Sequence, residues 1–154
     1  MEVRDLAPAD APRCDEIIAS LPYFFGQEAG VRACAEAVRS QRGWVATVDG
    51  QVRGFLTVEH PLPGSPEISW MAVHADTRRG GLGRALVEHA AGELAAAGVR
   101  TLSVLTLAES EPERGPADNY SGTRAFYRRA GFVPIRELRP EGWAQQALLL
   151  VRPL

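Results

Sequence analysis

The sequence predicts an α/β protein of the α+β type, in which a mixed, mostly antiparallel sheet of about six or seven strands is flanked by about four helices. Two observations carry this prediction. Apolar residues alternate with a period of two in several short segments and recur with a helical period in the segments between them. A strand–helix–strand unit occurs once, in the middle of the chain, and predicts a parallel pair of strands within an otherwise antiparallel sheet.

The first half of the chain predicts one strand, two helices and a hairpin. Pro22 ends the first helix, because proline cannot continue the helical hydrogen-bond pattern, and an aromatic segment follows it. Asp49-Gly50 separates two alternating runs and is a strong hairpin signal, so these runs should pair antiparallel. The predicted elements are a strand at 2–6, helices at 8–20 and 31–41, and strands at 44–48 and 52–60.

The second half predicts the crossover and the closing strands. Pro61 to Pro66 is rich in proline and glycine, which predicts a turn. Gly98 is placed to cap the long middle helix, and Gly131 ends the next helix. The polar residues 108–118 predict a loop. The predicted elements are strands at 67–73, 100–107, 132–138 and 147–153, and helices from Leu82 to Gly98 and over 119–130.

The length and composition of the chain favour one domain over residues 1–154. With 154 residues, 45% hydrophobic and 23% charged, the chain is large enough to bury a core and too short for two ordinary domains. It has no run of about 18 apolar residues, so we expect no membrane partner. A net charge of −2 without a basic face argues against a nucleic-acid partner. The acidic N-terminus has no signal-peptide core, which favours a cytoplasmic location.

The two cysteines of the chain, Cys14 and Cys34, stand in separate helical patterns. Neither belongs to a Cys-x-x-Cys pair, the spacing that is typical of metal and redox sites. We therefore predict free, partly buried thiols and no metal.

Residues 67–84 are the most informative segment, because a short apolar strand is followed by a polar turn and a glycine-rich loop that opens into a helix. The first amides of a helix have no intrahelical partner and carry partial positive charge, so they bind phosphate groups. Three glycines leave this backbone accessible, and three arginines place cations around it. These residues are Gly80, Gly81 and Gly83, and Arg78, Arg79 and Arg84.

The loop matches neither of the common nucleotide-binding loops. The third glycine of the dinucleotide pattern is missing, and no Lys-Ser or Lys-Thr pair follows. Two interpretations stay open at this point: a phosphate-binding loop, or a tight turn that the glycines permit before an amphipathic helix. An RNA-binding segment of the arginine–glycine type would require disorder and repeats, which the sequence lacks.

Two motifs resemble the GCN5-related N-acetyltransferase (GNAT) superfamily. Residues 78–83, RRGGLG, match its Arg/Gln-x-x-Gly-x-Gly/Ala signature, and they stand between the fourth predicted strand and the long helix. Residues 123–132, TRAFYRRAGF, resemble its Phe-Tyr-x-x-x-Gly-Phe segment. The order of predicted elements agrees as well, so the resemblance covers the whole chain.

The resemblance implies a GNAT acyl-CoA acyltransferase fold and an N-acetyltransferase that uses acetyl-CoA as cosubstrate. The acetyl group would pass directly to a primary amine of a small molecule or peptide. The backbone of Met71 and Val73 would hydrogen-bond the pantetheine arm and the thioester carbonyl, and the amides of 79–84 would bind the pyrophosphate. The residues thus implied to bind the cosubstrate are Met71, Val73, Arg78, Arg79, Gly80, Gly81, Leu82, Gly83 and Arg84.

The resemblance also implies two catalytic residues, Tyr127 and Glu67. Tyr127 matches the tyrosine that assists departure of the thiolate, and the alternative is an ordinary core residue of a helix. Glu67 stands eleven residues before Arg78, a spacing similar to that of the glutamate base in the histone-acetylating branch, and a solvated glutamate or a water chain is the alternative. Glu59 and His60 are further candidates for the base, which the attacking amine requires because an ammonium has a pKa of about 10.

The acceptor side is the least specific part of the sequence. Tyr23, Phe24, Phe25 and Trp70 are predicted to line the acceptor pocket, with ordinary packing as the alternative. The asparagine that relatives carry seven residues before the tyrosine is replaced here by Tyr120. Asn119 lies one position earlier, and we expect it to cap the helix.

Other functions and assemblies stay open. A non-catalytic acyl-CoA-binding sensor module would use the same loop without turnover, although the presence of both Tyr127 and Glu67 favours an enzyme. Without a serine or cysteine placed to form an acyl-enzyme, direct attack is the expected route. The last strands allow either a monomer or a homodimer.

Overall fold

A single sheet with helices on both faces accounts for the described chain. The computed structural model describes residues 1–22, 28–112 and 120–154. Within these ranges the strands are β1 Glu2–Asp5, β2 Arg42–Val48, β3 Gln51–Leu62, β4 Ser65–Val73, β5 Thr101–Leu107, β6 Val133–Leu138 and β7 Ala147–Pro153. The α-helices of the same ranges are α1 Ala11–Ala19, α2 Glu28–Ser40, α3 Leu82–Ala96 and α4 Tyr120–Arg129, and Pro8–Asp10 and Ala75–Thr77 form short 3-10 helices. The seven strands are ordered β1-β2-β3-β4-β5-β7-β6.

The sheet topology confirms the predicted fold class. β4 and β5 pair in parallel, and α3 is the crossover between them. The five other neighbouring pairs are antiparallel, including the hairpin of β2 and β3 around Asp49 and Gly50. Both residues of that turn have positive φ, 51° and 74°, which is the geometry that an Asp-Gly hairpin turn requires.

The predicted turn over residues 61–66 is wrong in its extent. β3 continues through Pro61 to Leu62, β4 begins at Ser65, and Leu62 pairs with Ser65. Pro63 and Gly64 alone make the turn, with Gly64 at a φ of 74°. Proline and then glycine suit the two central positions of a tight turn, so two residues are enough to reverse the chain and the strands extend further than the prolines suggest.

Each face of the sheet has its own apolar core. α3 packs on β1 to β4 and α4 on β5, and the core on this face is centred on Trp44, Leu56, Leu86, Leu102 and Leu150. On the opposite face, α1 packs on β3 and β4 and α2 on β4, around Ile17 and Phe55. The free thiols of Cys14 and Cys34 are fully buried in this second core, where burial raises both pKa values to about 12. No helix in the described ranges is long and apolar enough to span a membrane.

Candidate active site

A gap opens in the middle of the sheet, between β4 and β5. The two strands pair only at Glu67 with Ser103 and at Ile68 with Val104, although β4 continues to Val73 and β5 to Leu107. The divergence coincides with an irregularity in β4, where Thr57 of β3 pairs with Trp70 and the next residue of β3 pairs with Ile68. Ser69 is therefore the extra residue of a bulge, a feature that bends the strand that carries it.

Side-chain hydrogen bonds hold the bulge. The hydroxyl of Ser69 lies 2.8 Å from the hydroxyl of Thr57, which is fully buried. Ser69 also donates to the side-chain carbonyl of Gln41, at the end of α2. The extra residue of β4 is thus tied both to the neighbouring strand and to the helical layer on that face.

Backbone groups of both strands point into the gap. In an antiparallel pair, residues alternate between directing both backbone groups at the partner strand and directing both away from it. The amide of His74 donates to the carbonyl of Arg53 in β3 at 2.8 Å, so Val73 and Met71 direct theirs away from β3 and into the gap. The backbone groups of these two residues thus point into the gap at the level where β5 no longer pairs with β4.

The wall formed by β5 follows the same rule. The amide of Ala108 donates to the carbonyl of Gln146 at 3.0 Å, which directs the backbone groups of Leu105 and Leu107 away from β7. Because the neighbour on that side is β4, these groups also point into the gap. An extended ligand that entered the gap would meet backbone donors and acceptors on both sides.

The glycine loop and the N-terminus of α3 stand at the open end of the gap. The first helical hydrogen bond joins the Ala85 amide to the Gly81 carbonyl at 2.9 Å, and no side chain caps this terminus. The amides of residues 81–84 therefore have no partner within the helix. Two loop residues adopt left-handed conformations, Arg79 with a φ of 67° and Gly81 with a φ of 81°.

Gly83 brings three elements together at this point. A Cβ atom added to it would lie 3.4 Å from the ring of Phe126 in α4 and 3.9 Å from Val73 in β4. The N-terminus of α3 is therefore next to the gap and next to α4. Arg78, Arg79 and Arg84 are exposed around it, so the loop combines accessible amides with nearby cationic side chains.

Tyr127 lies in the core on the α4 side of the gap. Its side chain is 5% exposed and makes edge-to-face contacts with Phe126 and Phe132, with ring centroids 5.2 and 5.3 Å away. Burial raises the pKa of its hydroxyl above the ordinary value, and none of the described residues hydrogen-bonds that hydroxyl. The structure therefore gives Tyr127 the packing of a core residue together with a polar group that no described residue bonds.

Arg124, one turn before Tyr127 on α4, is a site residue that the sequence analysis did not single out. It is 8% exposed, and its Nη1 donates to the carbonyl of Leu107 at 2.9 Å. The available signal was helical spacing, because Arg124 stands three residues before Tyr127 and shares its face of α4. Because arginine is rarely fully buried, an arginine on the buried face of a helix is a candidate functional residue.

Glu67 lies at the closed end of the gap. It is half-buried, pairs across the strands with Glu59, and is 3.4 Å from the hydroxyl of Ser103. Burial, followed by the charge of Glu59, raises the pKa of the Glu67 carboxyl, and the Ser103 hydrogen bond acts in the opposite direction. Glu59 and His60, the other candidate bases, are exposed.

The predicted acceptor residues are only partly described. Trp70 is half-buried and packs against the core under α1 and α2. Tyr23, Phe24, Phe25 and Asn119 lie outside the described residues. No group of three or more His, Cys, Asp or Glu side chains among the described residues is arranged to hold a metal ion.

The parallel strand pair that splays next to a glycine loop and a helix N-terminus agrees with the acyltransferase class that the two motifs indicate. Residues 39–134 match the family model described as the acetyltransferase (GNAT) domain. The chain belongs to the GNAT family, which confirms the resemblance seen in its two motifs. A search of curated proteins finds none that matches the chain.

Solved structures share the fold over almost the full length. A GNAT-family protein from Desulfovibrio desulfuricans has a TM-score of 0.80 and 22% identity, with 99% of each chain covered. The ribosomal-protein-S18-alanine N-acetyltransferase of Escherichia coli has a TM-score of 0.75 and 22% identity, with 99% of this chain and 92% of that chain covered. An aminoglycoside 6'-N-acetyltransferase complexed with coenzyme A has a TM-score of 0.73 and 14% identity, with 99% and 97% covered. At these identities the likeness shows the fold.

Proposed function

We propose that this protein transfers the acetyl group of acetyl-CoA directly to a primary amine of a small molecule or peptide. The gap between β4 and β5 is the observation that carries the proposal. It presents backbone donors and acceptors along an extended path and ends at uncapped amides of α3. A thioester that carries two amides and a diphosphate on one extended arm matches this sequence of groups.

The cosubstrate-binding residues of the proposal are those of the sequence prediction. Met71 and Val73 supply backbone hydrogen bonds to the arm, because their backbone groups point into the gap. The amides at the start of α3 bind the diphosphate, supported by exposed arginine side chains. The residues assigned to this role are Met71, Val73, Arg78, Arg79, Gly80, Gly81, Leu82, Gly83 and Arg84. One of the structurally similar proteins was solved with coenzyme A, which supports the choice of ligand.

The proposed reaction is a direct attack by the amine. The amine nitrogen forms a bond to the thioester carbonyl carbon, the carbon–sulfur bond breaks, and the nitrogen loses a proton. Glu67 is the proposed base, directly or through a water molecule, because it stands where the gap closes and its raised pKa makes it a stronger base than an ordinary glutamate. The Ser103 hydroxyl lies 3.4 Å from the carboxylate and 3.5 Å from the Pro66 carbonyl, so it can donate a weak hydrogen bond to either.

Tyr127 is the proposed partner of the departing thiolate. Its hydroxyl is a donor without a hydrogen-bond partner among the described residues, on a side chain that is almost fully buried. A thiol has a pKa of about 8.5, well below that of a buried phenol, so a hydrogen bond to the sulfur is enough and full proton transfer is not required.

Tyr23, Phe24, Phe25 and Trp70 stay the proposed acceptor-binding residues, as the sequence predicts. The names of two similar structures include a ribosomal-protein alanine and an aminoglycoside as acceptors, which supports an amine but not one amine in particular. A cytoplasmic location, a single domain and a monomer or homodimer stay predictions from the sequence.

Two measurements test the proposal. Acetyl-CoA and desulfo-CoA should both raise the Tm, because each carries the arm and the diphosphate; the absence of both shifts would eliminate every CoA-based function. Thiol release from acetyl-CoA is then measured across polyamines, aminoglycosides, amino acids and peptides with free N-termini. Release that depends on one of these amines supports the enzyme, whereas binding without release from any amine supports a non-catalytic acyl-CoA sensor.

A further inference from the structure

Arg124 carries a buried positive charge with few partners. It is the only buried arginine in the described ranges, at 8% exposure. A guanidinium has five N–H donors, and one of them is used, in the hydrogen bond from Nη1 to the Leu107 carbonyl. Burial of a charge is costly unless the group is paired or fully hydrogen-bonded. A single backbone hydrogen bond therefore does not offset the free-energy cost of burying this charge.

Other arginines of the same region have carboxylate partners. Arg152 donates to both carboxylate oxygens of Glu88 at 3.0 Å and also to the Ala130 carbonyl. Arg128, one turn after Arg124 on α4, pairs with Glu109 at 2.6 Å. For Arg124 no carboxylate lies within salt-bridge distance among the residues that the structure describes. Its remaining donors are thus available to a group that is not part of the described chain.

The position of Arg124 identifies the direction from which that group comes. Leu107 directs its carbonyl away from β7 and into the gap, as the hydrogen bond between Ala108 and Gln146 shows. A guanidinium bound to this carbonyl therefore lies along the β5 edge of the gap. Met71 and Val73 line the opposite edge with their backbone groups, so a ligand in the gap would pass between them and Arg124.

The distance of Arg124 from the closed end of the gap indicates which part of a bound ligand it would contact. The gap closes at Val104, and Leu107 lies three residues further along β5, or about 10 Å at about 3.3 Å per residue. The reacting thioester belongs at the closed end, beside Glu67, and the diphosphate belongs at the N-terminus of α3. The amides of the pantetheine arm lie between these two ends, at the level of Arg124.

We propose that Arg124 is a cosubstrate-binding residue whose unused N–H donors hydrogen-bond the amide carbonyl oxygens of the pantetheine arm. The proposal rests on the proposed function, because it requires that acetyl-CoA occupies the gap. A hydrogen bond from a charged donor in a buried site is among the stronger ones. Arg124 would then contribute to affinity along the middle of the arm, which glycine-loop residues do not reach.

Truncation of the cosubstrate tests this assignment. Arg124→Met keeps the length and apolar stem of the side chain and removes its donors, and Arg129→Met, an exposed position on the same helix, is the matched control. Kd is measured for CoA, and kcat/KM is measured for acetyl-CoA and for ethyl thioacetate, which keeps the thioester and lacks both amides of the arm. We expect Arg124→Met to lose roughly 10- to 100-fold in kcat/KM for acetyl-CoA and less than about 3-fold for the short thioester.

A purely structural role predicts a different pattern. If Arg124 only holds α4 against β5, the variant loses the same factor with both thioesters, and this result would overturn the proposal, as would an unchanged Kd for CoA. Arg124→Lys, which keeps the charge and one tether, provides the same comparison if the methionine variant does not fold. Failure of the wild-type protein to bind CoA would instead overturn the proposed function, so the two failures are distinguishable.

Discussion

The two walls of the β4–β5 gap offer a ligand different chemistry. On one wall, β4 and the N-terminus of α3 present backbone groups, and the nearby arginines are exposed. On the other wall, β5 directs the backbone groups of Leu105 and Leu107 into the gap, and α4 packs against this strand with the side chains of Arg124 and Tyr127 8% and 5% exposed. The first wall depends on a backbone conformation that glycine permits, and the second depends on which side chains the packing of α4 buries.

This difference determines how each wall responds to substitution. Removal of a side chain from the first wall leaves the backbone amides in place. Ligand binding at this wall should therefore be sensitive mainly at residues whose backbone is left-handed or lies close to a neighbouring element. Removal of a side-chain polar group from the second wall deletes the functional group itself. We therefore expect the largest effects on α4 and the smallest at the bulge of β4.

Tyr127→Phe is expected to have the largest effect on activity. The ring contacts with Phe126 and Phe132 remain, while the proposed donor to the leaving sulfur is lost, so kcat should fall roughly 100-fold or more and Kd for acetyl-CoA should stay unchanged. Because the buried hydroxyl has no partner among the described residues, the variant should be as stable as the wild type or more stable. Steady-state kinetics and thermal unfolding measure both effects. Wild-type kcat in the variant would leave Tyr127 as a core residue only.

Glu67→Gln is expected to lower kcat/KM by roughly 10- to 100-fold. It should also remove the acid limb of the pH–rate profile, which is the range where kcat/KM falls as the pH is lowered. In the wild type this limb should lie above the ordinary pKa of a glutamate, because the pKa of Glu67 is raised, and activity falls as the carboxylate is protonated. Glu59→Gln is the companion variant: it removes a neighbouring negative charge, so the limb should move to lower pH without disappearing. Loss of the limb in Glu59→Gln alone would assign the base to Glu59.

Glu67→Gln is also expected to change the stability of the fold. A raised pKa in the folded state means that the ionised carboxylate is disfavoured there. The stability that the protonated side chain contributes is therefore lost as pH rises through that pKa. Glu67→Gln should therefore raise the Tm near neutral pH, and the gain should vanish below the ordinary pKa of glutamate. Thermal unfolding across this pH range measures the difference, and a gain that does not change with pH would contradict the assignment of a raised pKa.

Gly81→Ala is expected to have an intermediate effect, and Gly98→Ala is its control. Both glycines have positive φ, 81° and 87°, and open space where a Cβ would stand, so each substitution should cost about 1 kcal/mol of unfolding free energy. Only Gly81 belongs to the loop at the gap, so only Gly81→Ala should weaken CoA binding, by about 10-fold. Binding of pantetheine, which lacks the diphosphate, should be unaffected. Equal losses for both ligands would exclude a diphosphate role for the loop.

Ser69→Ala is expected to have the smallest effect on activity. It deprives the fully buried hydroxyl of Thr57 of its partner, which should destabilise the fold by about 1–2 kcal/mol and raise KM for acetyl-CoA a few-fold because the bulge opens the gap. Ser40→Ala, which removes an exposed hydroxyl bonded to the Glu36 carbonyl within α2, should change neither quantity. Unfolding free energies and KM for the two variants decide whether the bulge needs its polar contacts.

Short-range features of the chain were predictable because their cause is local. Asp49-Gly50 forms the hairpin, the glycines near residue 81 form the loop before α3, and the periodicities place each strand and each α-helix of the described ranges to within a few residues. In each case a backbone preference acts within a few residues, which is why the order of elements and the family motifs are visible in the sequence. Where two local preferences compete, as at Pro61 to Pro66, strand pairing decided the extent of the turn.

The gap and its second wall depended on contacts between distant parts of the chain. Whether Met71 and Val73 direct their backbone groups into a gap depends on the register of β3 against β4 and on the early end of β4–β5 pairing. The burial of Arg124 and Tyr127 depends on how α4 packs against β5. The sequence around Arg124 does not show whether this face of α4 is covered by another element. The burial of the Arg124 charge could therefore be recognised only from the packing of α4 against the sheet.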